Sequence, residues 1–109
     1  MSESGDNIRL DIAGLKFVRH DSKALQNERK HKVSFEEAAT CWLDSFSMEF
    51  DDPTHSVVET RKLLLGTSKL NRLLVCWFTI RRTDQEEAIR IIGARKPTPN
   101  ERKKYEEKS

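Results

Sequence analysis

Eight consecutive residues, Leu73-Leu74-Val75-Cys76-Trp77-Phe78-Thr79-Ile80, constrain this chain more than any other segment. In a sequence where 35% of residues are charged, this run is apolar at odd and even positions alike. A strand with one wet face alternates, whereas a strand covered on both faces does not. The run therefore predicts a central strand, whose neighbours must come from the flanking segments. At 109 residues the chain is long enough for one such core and too short for two.

Those neighbours are legible. Phe46-Ser47-Met48-Glu49-Phe50 alternates cleanly and ends at the turn Asp51-Asp52-Pro53-Thr54. Ser56 to Leu65 reads as a second strand, stopped by Gly66, with Lys69 to Arg72 as a connection. Ala88 to Ala94 closes the sheet after the polar turn Thr83 to Glu87. Connections this short favour antiparallel pairing, which predicts an antiparallel sheet of about four strands.

Helices flank it. Ser34-Phe35-Glu36-Glu37 forms a capping box, the serine oxygen accepting from a free amide while Glu37 reaches back. Phe35, Ala38, Ala39, Trp42 and Leu43 then follow as a core-facing stripe. Asp21 or Ser22 caps an earlier, polar helix running to about His31. Thr98, Pro99 and Glu101 open a last helix that has almost nothing apolar beyond Tyr105, so folding of this chain alone gives it little reason to exist. The class is α+β, with Trp42, Leu43, Val75, Trp77 and Ile91 expected in the core. Residues 1–16 read as a leader, partly disordered or extended about a turn at Gly14, and residues 17–109 as one domain.

Several classes are excluded. No apolar run approaches a membrane span, and Met1 to Asp6 lacks the basic and apolar regions of a signal peptide. Cys41 and Cys76 sit far apart in apolar segments and read as buried thiols of a cytoplasmic protein. There is no Gly-rich phosphate loop, no paired Cys or His spacing for zinc, and no acidic cluster beyond Asp51 and Asp52. No cofactor is expected.

Charge is divided unevenly. Residues 1–55 carry 7 Lys/Arg against 11 Asp/Glu, a net of −4, and residues 56–109 carry 13 against 7, a net of +6. That asymmetry suggests an anionic partner for the second half, against the alternative of a solvated surface paired with the acidic half. Three histidines and a surplus of arginines remain, the components of metal-independent RNA cleavage. The 2′-hydroxyl must lose a proton, the phosphorane must be neutralised, and the 5′-oxygen must be protonated. His20, His31 and His55, with Glu59 behind them, are candidates for proton transfer. Arg61, Arg81, Arg90 and Arg95 are candidates to clamp phosphate oxygens bidentately. The bland alternatives are a cross-strand pair for Glu59, a dipole-complementing role for His31, and a solvated loop residue at His55. Whether Arg61 and Arg90 face one another depends on register.

One ordered set of residues runs through Phe17, Lys23, Asn27, Lys30-His31 and Val33 to Ala38, then Asp44, Asp52, His55, Glu59, Arg61, Gly66, Ser68 and Arg72. It ends with Phe78-Thr79, Arg81, Ile89 to Ile92, Ala94-Arg95, Glu101-Arg102 and Tyr105-Glu106. From Phe17 to Tyr105 this set resembles the BrnT toxins of bacterial toxin–antitoxin modules. The resemblance implies a RelE-like fold and a cytoplasmic endoribonuclease toxin that uses no metal. His31, His55, Glu59, Arg61, Arg81, Arg90 and Arg95 would be catalytic, and Lys23, Arg72, Lys96 and Arg102 would bind RNA. The implied partner is a BrnA-like antitoxin with a ribbon-helix-helix domain, so that operator DNA is reached only through the antitoxin. The chain departs from the family's pattern at Arg19-His20, Lys32, Ile80 and Gly93, where a Trp-Asp pair, a glycine, a glutamate and a serine are usual. The departures at Ile80 and Gly93 support an alternative: a catalytically silent relative that binds nucleic acid or its partner without cleaving.

Overall fold

The computed structural model describes residues 8–52, 61–82 and 84–108. Its elements are β1 (Ile8–Ile12), β2 (Leu15–Arg19), α1 (Asp21–His31), α2 (Phe35–Thr40) continued by a 3-10 turn at Cys41–Leu43, β3 (Met48–Asp51), β4 (Lys62–Thr67), β5 (Leu73–Arg82), β6 (Glu87–Arg95) and α3 (Pro99–Lys108). The strands form one sheet in the order β1-β2-β6-β5-β4-β3. The apolar run Leu73–Ile80 lies in β5, between β6 and β4, with Leu74, Val75, Cys76 and Phe78 all 2% exposed or less.

Among the described residues six strands replace the expected four or so, and the sheet is mixed. β3 to β6 do form the antiparallel meander that short connections require. The extra pair is the β1–β2 hairpin, closed by Ala13 and Gly14, both at positive φ (51° and 85°), the geometry of a two-residue primed turn. β2 then lies parallel to β6, with Phe17 opposite Ile89 and Val18 opposite Arg90. The chain between these two strands includes both N-terminal helices, so the short-connection argument does not reach this pair.

α1 and α2 cover one face of the sheet, where Phe17, Phe35, Leu64, Phe78 and Ile91 form the core. Trp42 meets this cluster edge-on, 5.2 Å from Phe17 and 5.0 Å from Phe78. Leu43 does not join it. α2 ends at Thr40 and tightens into the 3-10 turn, whose three residues per turn rotate Leu43 off the helical stripe to 52% exposure. Gly66 does not stop a strand but lies inside β4. A Cβ there would meet the Cys41 carbonyl oxygen at 3.0 Å and the Ser47 Cβ at 3.2 Å, so the glycine lets the 3-10 turn pack onto the strand. Residues 56–60, the start of the expected second strand, lie outside the described residues.

Two caps differ from expectation. The N-cap of α1 is His20 rather than Asp21 or Ser22, and Ser22 Oγ instead meets His20 Nδ1 at 3.0 Å. At α2, Ser34 Oγ accepts from the Glu37 amide at 3.0 Å, but the Glu37 carboxylate does not reach back. It accepts from Arg72 Nε at 2.9 Å, from Arg72 Nη2, and from Ser68 Oγ at 2.6 Å. A guanidinium offers charge as well as donors, and it outcompetes one backbone amide. Held mainly by Arg72 against the cost of burial, Glu37 stays ionised below the usual carboxylate range.

α3 has a reason to exist within this chain, though a polar one. Thr98 and Glu101 complete a reciprocal capping box (2.8 and 3.2 Å). Tyr105 donates to Asp44 and accepts from Thr67 Oγ1 at 3.0 Å, while Lys104 sits 5.3 Å from the Phe50 ring centroid. No residue of α3 is buried. It lies over the second face of the sheet beside Phe50, Leu63, Leu65 and Val75.

Candidate functional site

The second face of the sheet carries the arginines. Strand alternation places Leu64, Cys76, Phe78 and Ile91 on the helix-covered face, and therefore Leu63, Val75, Trp77, Thr79 and Arg90 on the other. Thr79 pairs directly with Arg90 across β5 and β6. On the opposite side the β3–β4 ladder runs one residue past its strands, Asp52 N donating to Arg61 O at 3.0 Å, which brings Arg61 level with Thr79. Arg61 and Arg90 thus flank Thr79 on one face, about 10 Å apart at two strand spacings. Arg81 follows Thr79 two residues along β5, on the same face. Register, which sequence left open, gathers these three. Each also makes interactions within the fold.

Next along β5, Trp77 stands opposite Gly93. There the pairing shifts by one residue, Phe78 lying opposite Ile91, so Ile92 is a bulge. Where β2 no longer pairs with β6, Asn27 of α1 takes over: its Oδ1 accepts from Ala94 N and its Nδ2 donates to Val33 O, both at 3.0 Å. That clamp fixes the C-terminal end of α1 beside β6, and His31, in its last turn, meets Trp77 edge-on at 6.3 Å and 85°. His31 therefore borders the arginine-bearing face from a different element.

The remaining sequence candidates divide. Arg95 pairs with Val75, four residues from Thr79 and about 13 Å along the strand. Its guanidinium is gripped by Glu101, Nη1 at 2.9 Å and Nη2 at 3.0 Å, and Glu101 is held below the usual carboxylate range chiefly by that arginine. Arg72 is engaged by Glu37 and donates to the Lys32 carbonyl at 3.0 Å. Lys23 lies exposed at the start of α1, eight residues and about 12 Å of helix from His31. Lys96 is exposed, and Arg102 is exposed with Glu106 at 3.8 Å. His55 and Glu59 lie outside the described residues. Among the described residues no three His, Cys, Asp or Glu side chains gather as a metal site.

The sequence placed Trp77 in the core and assigned no role of their own to Thr79 and Asn27. Trp77 is half-buried rather than enclosed, and the buried Thr79 hydroxyl has no hydrogen-bond partner. The available signal was the polar Thr79 within an otherwise apolar run.

Residues 20–101 match the family described as "Ribonuclease toxin, BrnT, of type II toxin-antitoxin system", and the chain belongs to that family. The match covers three-quarters of the sequence, from the N-cap of α1 to the first turn of α3. No curated protein matches the chain.

Proposed function

We propose that this BrnT-family chain is an endoribonuclease that cleaves RNA without a metal, inhibits growth, and is neutralised by a BrnA-like ribbon-helix-helix antitoxin in the bacterial cytoplasm, on a RelE-like fold. The observation that carries the reading is the convergence of Arg61, Arg81 and Arg90 around Thr79 on one sheet face, with His31 at its border. Cleavage needs little else. A base takes the 2′-hydroxyl proton as the 2′-oxygen attacks phosphorus, the guanidinium groups neutralise the added charge of the phosphorane by paired hydrogen bonds, and the P–O5′ bond then breaks as the 5′-oxygen takes a proton from an acid. His31 is the proton-transfer group best placed among the described residues, with His55 and Glu59 as further candidates.

Arg95 is already paired with a carboxylate. A phosphate reaching it would have to displace the Glu101 carboxylate, which already offers two oxygens in the geometry a phosphate would use. This supports the second reading, a relative that binds without cleaving, in so far as turnover requires Arg95. Lys96, Arg102, Lys103 and Lys104, all exposed, flank that pair in sequence as a basic rim. The rim suits an acidic antitoxin segment, whose binding would also block RNA.

The test is direct. The purified chain, incubated in EDTA with an unstructured RNA, should yield fragments with cyclic phosphate ends, and co-purified antitoxin should suppress them. Binding to the same RNA with no fragments would favour the silent relative.

A further inference from the structure

We infer that Trp77 is a base-stacking platform, seating a nucleobase beside the arginine-held phosphate. The inference rests on RNA being the substrate. Trp77 does not behave as a core residue: it points away from the helix-covered face and remains half-buried. Its indole lies over Gly93 so closely that a Cβ on that glycine would fall 2.2 Å from Cζ2, 2.5 Å from Cε2 and 2.9 Å from Cη2. The ring can lie down on β6 only because residue 93 has no side chain. One π-face is thereby spent on backbone, and the other is turned away from the sheet.

The surroundings fix the platform. His31 abuts it edge-on at 6.3 Å, and Leu63 is its cross-strand neighbour on β4. Rotation away from Gly93 would push the ring toward one or the other. One strand repeat away, about 7 Å, lies the row Arg61–Thr79–Arg90. Cations for the backbone and an aromatic plane for the base, side by side, are the two components of single-strand recognition. Stacking tolerates any base, since every base has a π-face, but it favours the larger purine surface.

The experiment uses the full chain and an uncleavable probe, a fluorescein-labelled 2′-O-methyl hexa-adenylate, read by anisotropy, with the corresponding abasic oligomer as control. Trp77→Leu should weaken hexa-adenylate binding about 5- to 150-fold, the span for one lost stack, whereas Trp77→Phe should stay within several-fold of the parent. Gly93→Ala should resemble Trp77→Leu, because the new methyl lifts the ring from a different strand. It carries the test if Trp77→Leu fails to fold. On the abasic oligomer all four proteins should bind alike. Equal affinity of parent, Trp77→Leu and Gly93→Ala for hexa-adenylate overturns the platform, and leaves the ribonuclease reading standing if Arg61→Ala and Arg90→Ala still lose binding. A parent that binds neither oligomer overturns both.

Discussion

Removing Arg72 should destabilise the fold in a way that depends on pH with a particular sign. The Glu37 carboxylate is 6% exposed and its charge is satisfied by Arg72 and Ser68. Arg72→Met keeps the side-chain volume and strands that carboxylate. Breaking a fully buried pair costs about 3–5 kcal/mol. Arg72 is 34% exposed, so water can partly replace it, and about 2–3 kcal/mol is the appropriate expectation here. At this chain length that corresponds to a fall in Tm of about 8–12 °C. In the parent, Glu37 has a depressed pKa, so its contribution is complete above the unfolded carboxylate pKa and is lost as pH falls through the folded value. In the variant, burial outweighs the single Ser68 bond and raises the pKa instead, so stability is lost as pH rises. The gap between parent and variant should therefore be widest near neutrality and narrow toward about pH 4.5. Urea unfolding at both pH values measures it. The double variant Glu37→Met/Arg72→Met should recover most of the loss, since apolar replacements leave no stranded charge. A gap below about 0.5 kcal/mol, or one that widens in acid, would refute the assignment of this pair as a structural strut.

Arg61→Ala, Arg81→Ala and Arg90→Ala should each lower RNA cleavage about a hundredfold, the scale for one lost transition-state donor, while circular dichroism stays that of the parent. Trp42→Ala should cost about 2–3 kcal/mol in thermal unfolding, less than a fully enclosed aromatic, because Trp42 is only partly buried against Phe17 and Phe78. Glu101→Gln removes the partner of Arg95 and weakens the α3 cap. Because the Glu101 pKa is depressed, its contribution exists above the unfolded carboxylate pKa and disappears in acid, so helical signal should fall as the pH is lowered in the parent and fall less in the variant, which keeps the acid-sensitive Glu37 and Asp44 contacts. Changing Arg102, Lys103 and Lys104 together to Glu should weaken antitoxin affinity and flatten its salt dependence, measured by titration calorimetry at two ionic strengths.

Local chemistry was written plainly in the chain. The Leu73–Ile80 run announced a central strand, Ser34 and Thr98 announced helix starts, and all three occur where hydrophobic patterning and capping place them. Family membership was equally legible from the ordered residues between Phe17 and Tyr105. The candidate site was legible only as a parts list, because Arg61, Arg81, Arg90 and Arg95 are the same residue type in sequence and differ only in what surrounds them.

Tertiary structure made that distinction. Strand register, set by the fit of whole apolar faces and by one bulge at Ile92, put Arg61 and Arg90 on either side of Thr79 and carried Arg95 away to Glu101. The parallel pairing of β2 with β6 was invisible because a long crossover leaves no local signal, unlike a two-residue turn. Glu37 stands where the sequence rule for a cap puts it, but a guanidinium from the β4–β5 connection claims its carboxylate. Short-range patterns fix which elements form, since their determinants lie within a turn of helix or a strand repeat. Which charged groups meet is decided by contacts between residues far apart in sequence, and those exist only once the sheet has closed on its register.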